Sequence, residues 1–248
     1  AGIDTEVFMK NNYYDNVEHK VDTSGPKRMP IIESRLKKRI VTVPEVIREA
    51  SGIKIFGKRI KSIIFTTDLA IINNNNADAV IAVYPFTPQL SITKSIIEVS
   101  STPVFCGVGG GLTSGQRSVD IALHAELGGA YGVVMNAPAT NELVSEMKNR
   151  IDIPIVITVV SEKEDFEARI RAGVGIFNVS GGANTANIVR KIRAIHPDFP
   201  IIATGGPTDE SIRETINAGA NAITYTPPTS AELFATIMEK YREEIAGK

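Results

Sequence analysis

From residue 62 onward, short apolar runs alternate with amphipathic stretches. The apolar runs lie at 62–66, 79–83, 104–107, 132–135, 155–159, 175–179, 200–203 and 222–225. Each is nearly continuous, and most are rich in Ile and Val, as a parallel strand covered on both faces must be. Between them, apolar positions recur at helical spacing over 69–74, 92–99, 116–127, 141–150, 163–171, 185–195 and 210–218, and 231–245 closes the chain. Eight strands, each followed by a helix, predict an α/β fold: a (β/α)8 TIM barrel with an N-terminal extension. An open doubly wound sheet is the alternative. Gly128, Gly173 and Gly219 follow helices and precede strands. They read as helix C-caps at the end of the barrel away from any chemistry.

The barrel is expected to occupy 62–248 and the extension 1–61, together one domain at this length. Residues 1–39 are polar and irregular and read as an arm. Pro44, followed by Val46 and Ile47 and stopped by Gly52, marks a short helix over 44–50. Residues 53–61 alternate around Gly57, which predicts a small hairpin leading into the first barrel strand, a piece of the kind that plugs a barrel bottom.

Composition narrows the class. The 248 residues are 43% hydrophobic and 22% charged, with a net charge of −1. That is ordinary for a soluble globule. No apolar run approaches a membrane span, and the first residues lack a leader pattern. A single cysteine, Cys106, excludes an internal disulfide and points to a cytoplasmic location. Three scattered histidines offer no zinc-ligand spacing, so no metal is expected. Residues 27–61 carry 11 Lys or Arg against three Glu. This basic stretch reads as a solvated face or subunit contact of a homo-oligomer, with nucleic acid as the sharper alternative.

In a TIM barrel the chemistry sits where strands end and βα loops begin. Two of those loops share a motif. Ser180-Gly181-Gly182 follows the sixth strand, and Thr204-Gly205-Gly206 follows the seventh. Glycines let backbone amides approach a ligand, and the helix behind supplies positive potential, so the pair reads as a phosphate cradle. Ser180, Gly181, Gly182, Thr204, Gly205, Gly206, Thr226 and Ser230 are its candidate ligands. Asp68, a carboxylate at the end of the first strand, is the candidate general base, with a helix N-cap as its plain alternative. Asn136 and Asn178 end the fourth and sixth strands, where amides can orient a carbonyl or hydroxyl. Tyr84, Cys106, Gly109, Gly110, Thr158 and Tyr225 complete the expected pocket.

Two segments carry a family resemblance. Residues 165–182 run through a helix ending in Ala172-Gly173 to Val179-Ser180-Gly181-Gly182, and residues 200–206 end in Thr204-Gly205-Gly206. Together they resemble the phosphate-binding TIM barrels, in particular the keto-deoxy-phosphogluconate aldolase type. The resemblance covers about the last third of the chain. It implies a phosphate beside Thr204-Gly205-Gly206. It departs at the sixth strand, where Ile176-Phe177-Asn178 stands in place of the aldolases' Schiff-base lysine, and the eighth strand lacks a further Gly-Gly pair. Schiff-base chemistry by that route is disfavoured.

The expected function is an enzyme acting on a small phosphorylated metabolite by proton transfer, as an isomerase, epimerase or lyase, without a cofactor. The alternatives are a phosphometabolite-sensing regulatory or binding protein and an enzyme holding flavin mononucleotide (FMN) by its phosphate.

Overall fold

The computed structural model describes residues 17–34, 36–37 and 39–247. The first part of the expected arm, residues 1–16, lies outside them, as do Arg35, Lys38 and Lys248. The described chain forms two compact units that divide after Val41.

The first unit holds an antiparallel hairpin of β1 (Val17–Asp22) and β2 (Met29–Ser34). The irregular arm expected here is therefore a strand pair over these residues. Its turn is held by the Asp22 carboxylate, which accepts from both the amide and the hydroxyl of Ser24.

The second unit is a closed, all-parallel barrel. Its strands are β5 (Ser62–Phe65), β6 (Ala79–Ala82), β7 (Val104–Gly109), β8 (Gly132–Met135), β9 (Ile155–Val159), β10 (Ile176–Val179), β11 (Ile201–Thr204) and β12 (Ala222–Tyr225). β12 closes the ring against β5, with Ile223 beside Ser62 and Tyr225 beside Ile64. The helices are α1 (Leu69–Ile72), α2 (Leu90–Val99), α3 (Gln116–Leu127), α4 (Asn141–Lys148), α5 (Phe166–Ala172), α6 (Thr185–Ile195), α7 (Asp209–Asn217) and α8 (Ser230–Ala246). The (β/α)8 barrel expected from the apolar alternation is the one observed. α1 stops two residues short of its expected end. There Asn74 and Asn75 turn their amides back onto the carbonyls of Ala70, Ile71 and Ile72, which competes with helix propagation.

The barrel interior is packed from both ends of the sequence pattern. Ile63, Ala79, Ile81, Phe105, Val134, Val156, Ile176, Ile202 and Ala222 face inward and touch one another. Ile55 and Ile60 join them from the hairpin β3 (Ile53–Ile55) and β4 (Lys58–Ile60), which stoppers the bottom of the barrel. Its two-residue turn, Phe56-Gly57, has positive φ at both positions (45° and 85°), the backbone that suits a tight hairpin.

The short helix expected over residues 44–50 is a 3-10 helix, Glu45–Glu49. Val46 and Ile47 are buried beneath it, and the turn packs against α7. It is pinned by the Glu49–Arg213 ion pair at 3.0 Å and by Arg48, which reaches Asp78 and the Asn76 carbonyl. The turn thus fills the outer wall between α7 and the loop after α1. Ile64 of β5 and Ile223 of β12 lie fully buried in that part of the sheet.

Candidate functional site

Alternation along each strand decides what lines the barrel mouth. Two residues above each inward core position lies the next inward residue. On one half of the ring these are Phe65 above Ile63, Val83 above Ile81, Gly107 above Phe105 and Asn136 above Val134. On the other half they are Thr158 above Val156, Asn178 above Ile176, Thr204 above Ile202 and Thr224 above Ala222. The inward positions of the mouth are apolar over β5–β7, and polar but uncharged at Asn136 and over β9–β12.

The polar half is incompletely hydrogen-bonded. Asn178 stands beside Thr158 in register, and its amide nitrogen reaches the Thr158 hydroxyl at 3.5 Å. Its Oδ1 is buried without a partner among the described residues, as is the Thr224 hydroxyl. Turning the Asn178 amide over would only exchange which end is unpaired. An unmet buried polar atom costs about 1–3 kcal/mol, so each of the two calls for an occupant or an ordered water. Thr224 was not among the residues picked out from the sequence. Its inward parity with Ala222 was the available signal.

The two Gly-Gly loops share one construction. The first glycine of each lets the following helix close on the barrel. A Cβ on Gly181 would lie 2.4 Å from Ile188 Cδ1, and one on Gly205 would lie 2.7 Å from Ile212 Cγ1. The second glycine turns the chain, with φ of +60° at Gly182 and +83° at Gly206. Thr185 ties the loops together. Its hydroxyl accepts from the Gly181 amide, donates to the Gly182 carbonyl and lies 3.4 Å from the Thr204 hydroxyl. The helix ends then differ. α7 and α8 each begin with a closed capping box, Thr208 with Ser211 and Thr229 with Glu232. α6 and the short 3-10 turn before it, Gly182–Asn184, have no side-chain cap. Of these three helices only α6 leaves its first-turn amides without a side-chain acceptor. Ser180 is half-buried, and Thr226 is exposed at the rim.

Asp68 stands at the mouth, but its carboxylate is engaged. It caps α1 by accepting from the amides of Ala70 and Ile71, and it also meets the Ser230 amide at 3.4 Å. Bonding from the Ser230 hydroxyl, outweighing desolvation, holds it below the ordinary aspartate range. A carboxylate so placed is a poor proton acceptor near neutrality, and Ser230 is partly committed to it.

A cavity of about 230 Å³ opens over the ends of β6, β7 and β8. Tyr84, Thr87, Gly109, Thr113 and Asn136 line it with Val83 and Val134. The Thr87 and Thr113 hydroxyls bond across it at 2.8 Å, and the Tyr84 hydroxyl accepts from the Gln89 amide. Gly109 and Gly110 both have φ near +100° and carry the chain past Asn136, whose amide donates to the Gly109 carbonyl. Asn136 itself is exposed. Its loop is fixed from behind by Arg169, a buried residue of α5 whose guanidinium pairs with Glu164 at 2.6 Å. It also donates to the carbonyls of Ala137 and Ala139 and to Asn141 Oδ1. Nothing in the spacing of Arg169 distinguishes it from a surface helix arginine.

Cys106 and Tyr225 fall off the inward parity. Cys106 alternates with Phe105, so it faces the helices; it is buried and absent from the cavity lining. Burial pushes its thiol up to about 12, which leaves negligible thiolate at neutral pH. Tyr225 is half-buried beside the Thr224 position. No cluster of three or more His, Cys, Asp or Glu among the described residues could hold a metal ion. No described helix is long and apolar enough to cross a membrane.

No protein-family model matches the chain, and no curated protein matches it by sequence. Solved structures do match in fold. Mandelate oxidase with (S)-2-phenylpropionate superposes with a TM-score of 0.57 at 16% identity, covering 77% of this chain and 73% of that one. Phosphonopyruvate hydrolase in complex with oxalate and Mg++ gives 0.54 at 12% identity, over 76% and 81%. The thiamine phosphate pyrophosphorylase of Pyrococcus furiosus gives 0.50 at 18% identity, over 66% and 84%. These likenesses are to TIM barrels as an architecture.

Proposed function

We propose that this barrel is an enzyme that binds a small phosphorylated metabolite at its mouth and moves a proton on it. The observation that carries the reading is the pair of unpaired buried oxygens, Asn178 Oδ1 and Thr224 Oγ1, above a packed interior. An amide and a hydroxyl without charge suit a substrate's own hydroxyl and carbonyl groups. The phosphate would lie against the uncapped start of α6, with the hydroxyls of Ser180 and Thr204 at hand. The carbon skeleton would extend toward the cavity beside Tyr84 and Asn136. The named structures of similar fold are enzymes, which favours catalysis in general. The aldolase resemblance contributes only the phosphate position, since Asn178 stands near where a Schiff-base lysine would.

One observation favours a second reading, a barrel that senses the metabolite without changing it. Asp68, the carboxylate at the mouth, is already a cap with a lowered pKa. FMN remains the cofactor alternative, and a mandelate oxidase of similar fold is described with a monooxide FMN adduct.

The experiment is incubation with phosphorylated aldoses, ketoses and hydroxy acids in D2O, followed by proton NMR, beside a thermal-shift series that includes FMN. Deuterium entering next to a carbonyl supports the enzyme. A thermal shift without exchange selects the sensor, and a shift with FMN alone moves the site to flavin. No shift with any phosphate overturns the phosphate site.

A further inference from the structure

α8 differs from the helices that seal the barrel. It is 17 residues long and has no buried residue. The short Glu45–Glu49 segment, by contrast, buries Val46 and Ile47 and packs against α7. The large apolar residues of α8 nevertheless gather on one side. At 100° per residue, Leu233, Phe234, Ile237, Tyr241 and Ile245 share one face, whose edge Glu244 also enters, while Glu232, Glu239 and Glu243 lie opposite. All five of the large apolar residues are exposed, from 37% at Leu233 to 75% at Ile245.

We infer that the apolar face of α8 is the interface of a homodimer, with α8 of a second copy of this chain packed antiparallel along it. The spacing is self-complementary. Leu233, Ile237, Tyr241 and Ile245 recur every four residues, so an antiparallel two-fold sets Leu233 against Ile245 and Ile237 against Tyr241 of the twin. Covering these side chains completely in both copies removes at most roughly 1,200 Å² from water, the lower end of what a specific stable interface buries. A membrane surface is the poorer occupant. The polar face carries more Glu than Lys and Arg, the reverse of what anionic lipid selects. The interface does not depend on the ligand reading above.

The test is sedimentation of the full chain over a dilution series, with the double variant Ile237→Glu/Tyr241→Glu as the break. No α8 residue is fully buried in the monomer, and Ile237 and Tyr241 are 43% and 49% exposed, so the variant is expected to keep the barrel's far-UV spectrum, which is measured beside its sedimentation. We expect the wild-type chain to sediment at twice the chain mass and the double variant as a monomer. Mixing Ile237→Cys chains with Tyr241→Cys chains under a mild thiol oxidant then gives a disulfide dimer in preference to either chain alone, because Cys106 is buried. A wild-type chain monomeric at every concentration overturns the inference. An oligomer that survives the double variant and shows no 237–241 cross-link overturns it too.

Discussion

The two ends of the barrel treat polar groups in opposite ways. At the bottom they are paired several times over. Asp78 accepts from the Lys61 and Ser62 amides and meets Arg48 at 3.0 Å. Arg193 donates to the carbonyls of Gly219, Pro197 and Phe199 and to Asn221 Oδ1. Asn221 in turn accepts from the Ile201 amide and donates to the Ser51 hydroxyl. At the mouth, Asn178 and Thr224 each leave an oxygen unmet. The third such atom, His196 Nε2 at the end of α6, has the Glu167 carboxylate 3.4 Å away. The difference teaches where this protein holds its stability and where it gives some up. Bonds at the bottom are closed within the chain except at His196 Nε2; at the top two oxygens stand unpaired among the described residues.

Substitutions can break that contrast, beginning at the bottom. Arg193→Ala strips several carbonyls and Asn221 of their donor at once. It should destabilise the fold by about 3 kcal/mol, read from the urea midpoint, with Arg193→Lys recovering only part because one ammonium cannot reach the same set. Asp78→Asn should cost about 2 kcal/mol at neutral pH. It should also change the pH dependence. Desolvation pushes the Asp78 carboxyl up, but the bonds from Lys61, Ser62 and Arg48 outweigh it and hold the folded pKa below the ordinary 3.8. That stabilisation is fully present above the ordinary value and drains away as pH falls through the lower folded one. The wild-type protein should therefore lose stability more steeply than the variant on acidification, as urea midpoints at successive pH values would show. At the mouth the sign reverses. Thr224→Val removes an unpaired hydroxyl at nearly constant volume and should stabilise the apo protein by up to about 1 kcal/mol. The same change should weaken a bound phosphometabolite roughly tenfold by calorimetry. If Thr224→Val is destabilising instead, the mouth is as complete as the bottom and the contrast fails.

The barrel was legible because parallel strands buried on both faces must be apolar almost throughout, and 155–159 or 200–203 admit little else. Positions at strand ends were legible for the same reason, since the fold fixes where each strand opens. Partners were not. Asp68 reads alike as base or cap until the Ala70, Ile71 and Ser230 bonds are visible. Cys106 reads as pocket-lining until its parity with Phe105 turns it outward. Gly181 and Gly205 read as ligand-facing, yet Ile188 and Ile212 occupy the space a side chain would need. The hairpin of β1 and β2 lacked a strong apolar face, and the 44–50 segment gave no sign that it would take the wall beside α7.

That segment ties the start of the barrel to its finish. The Gly52 amide bonds the Asn221 carbonyl, Glu49 pairs with Arg213, and the Ile223 amide bonds the Lys61 carbonyl. On a ribosome, the stopper hairpin and its neighbouring turn emerge first and must wait for nearly the whole barrel to be synthesised before these contacts can form. Such long-range closure slows folding and, in a unit of this length, leaves partly folded intermediates exposed until it forms. A nascent chain released before β12 would carry its bottom plug with no vessel to close.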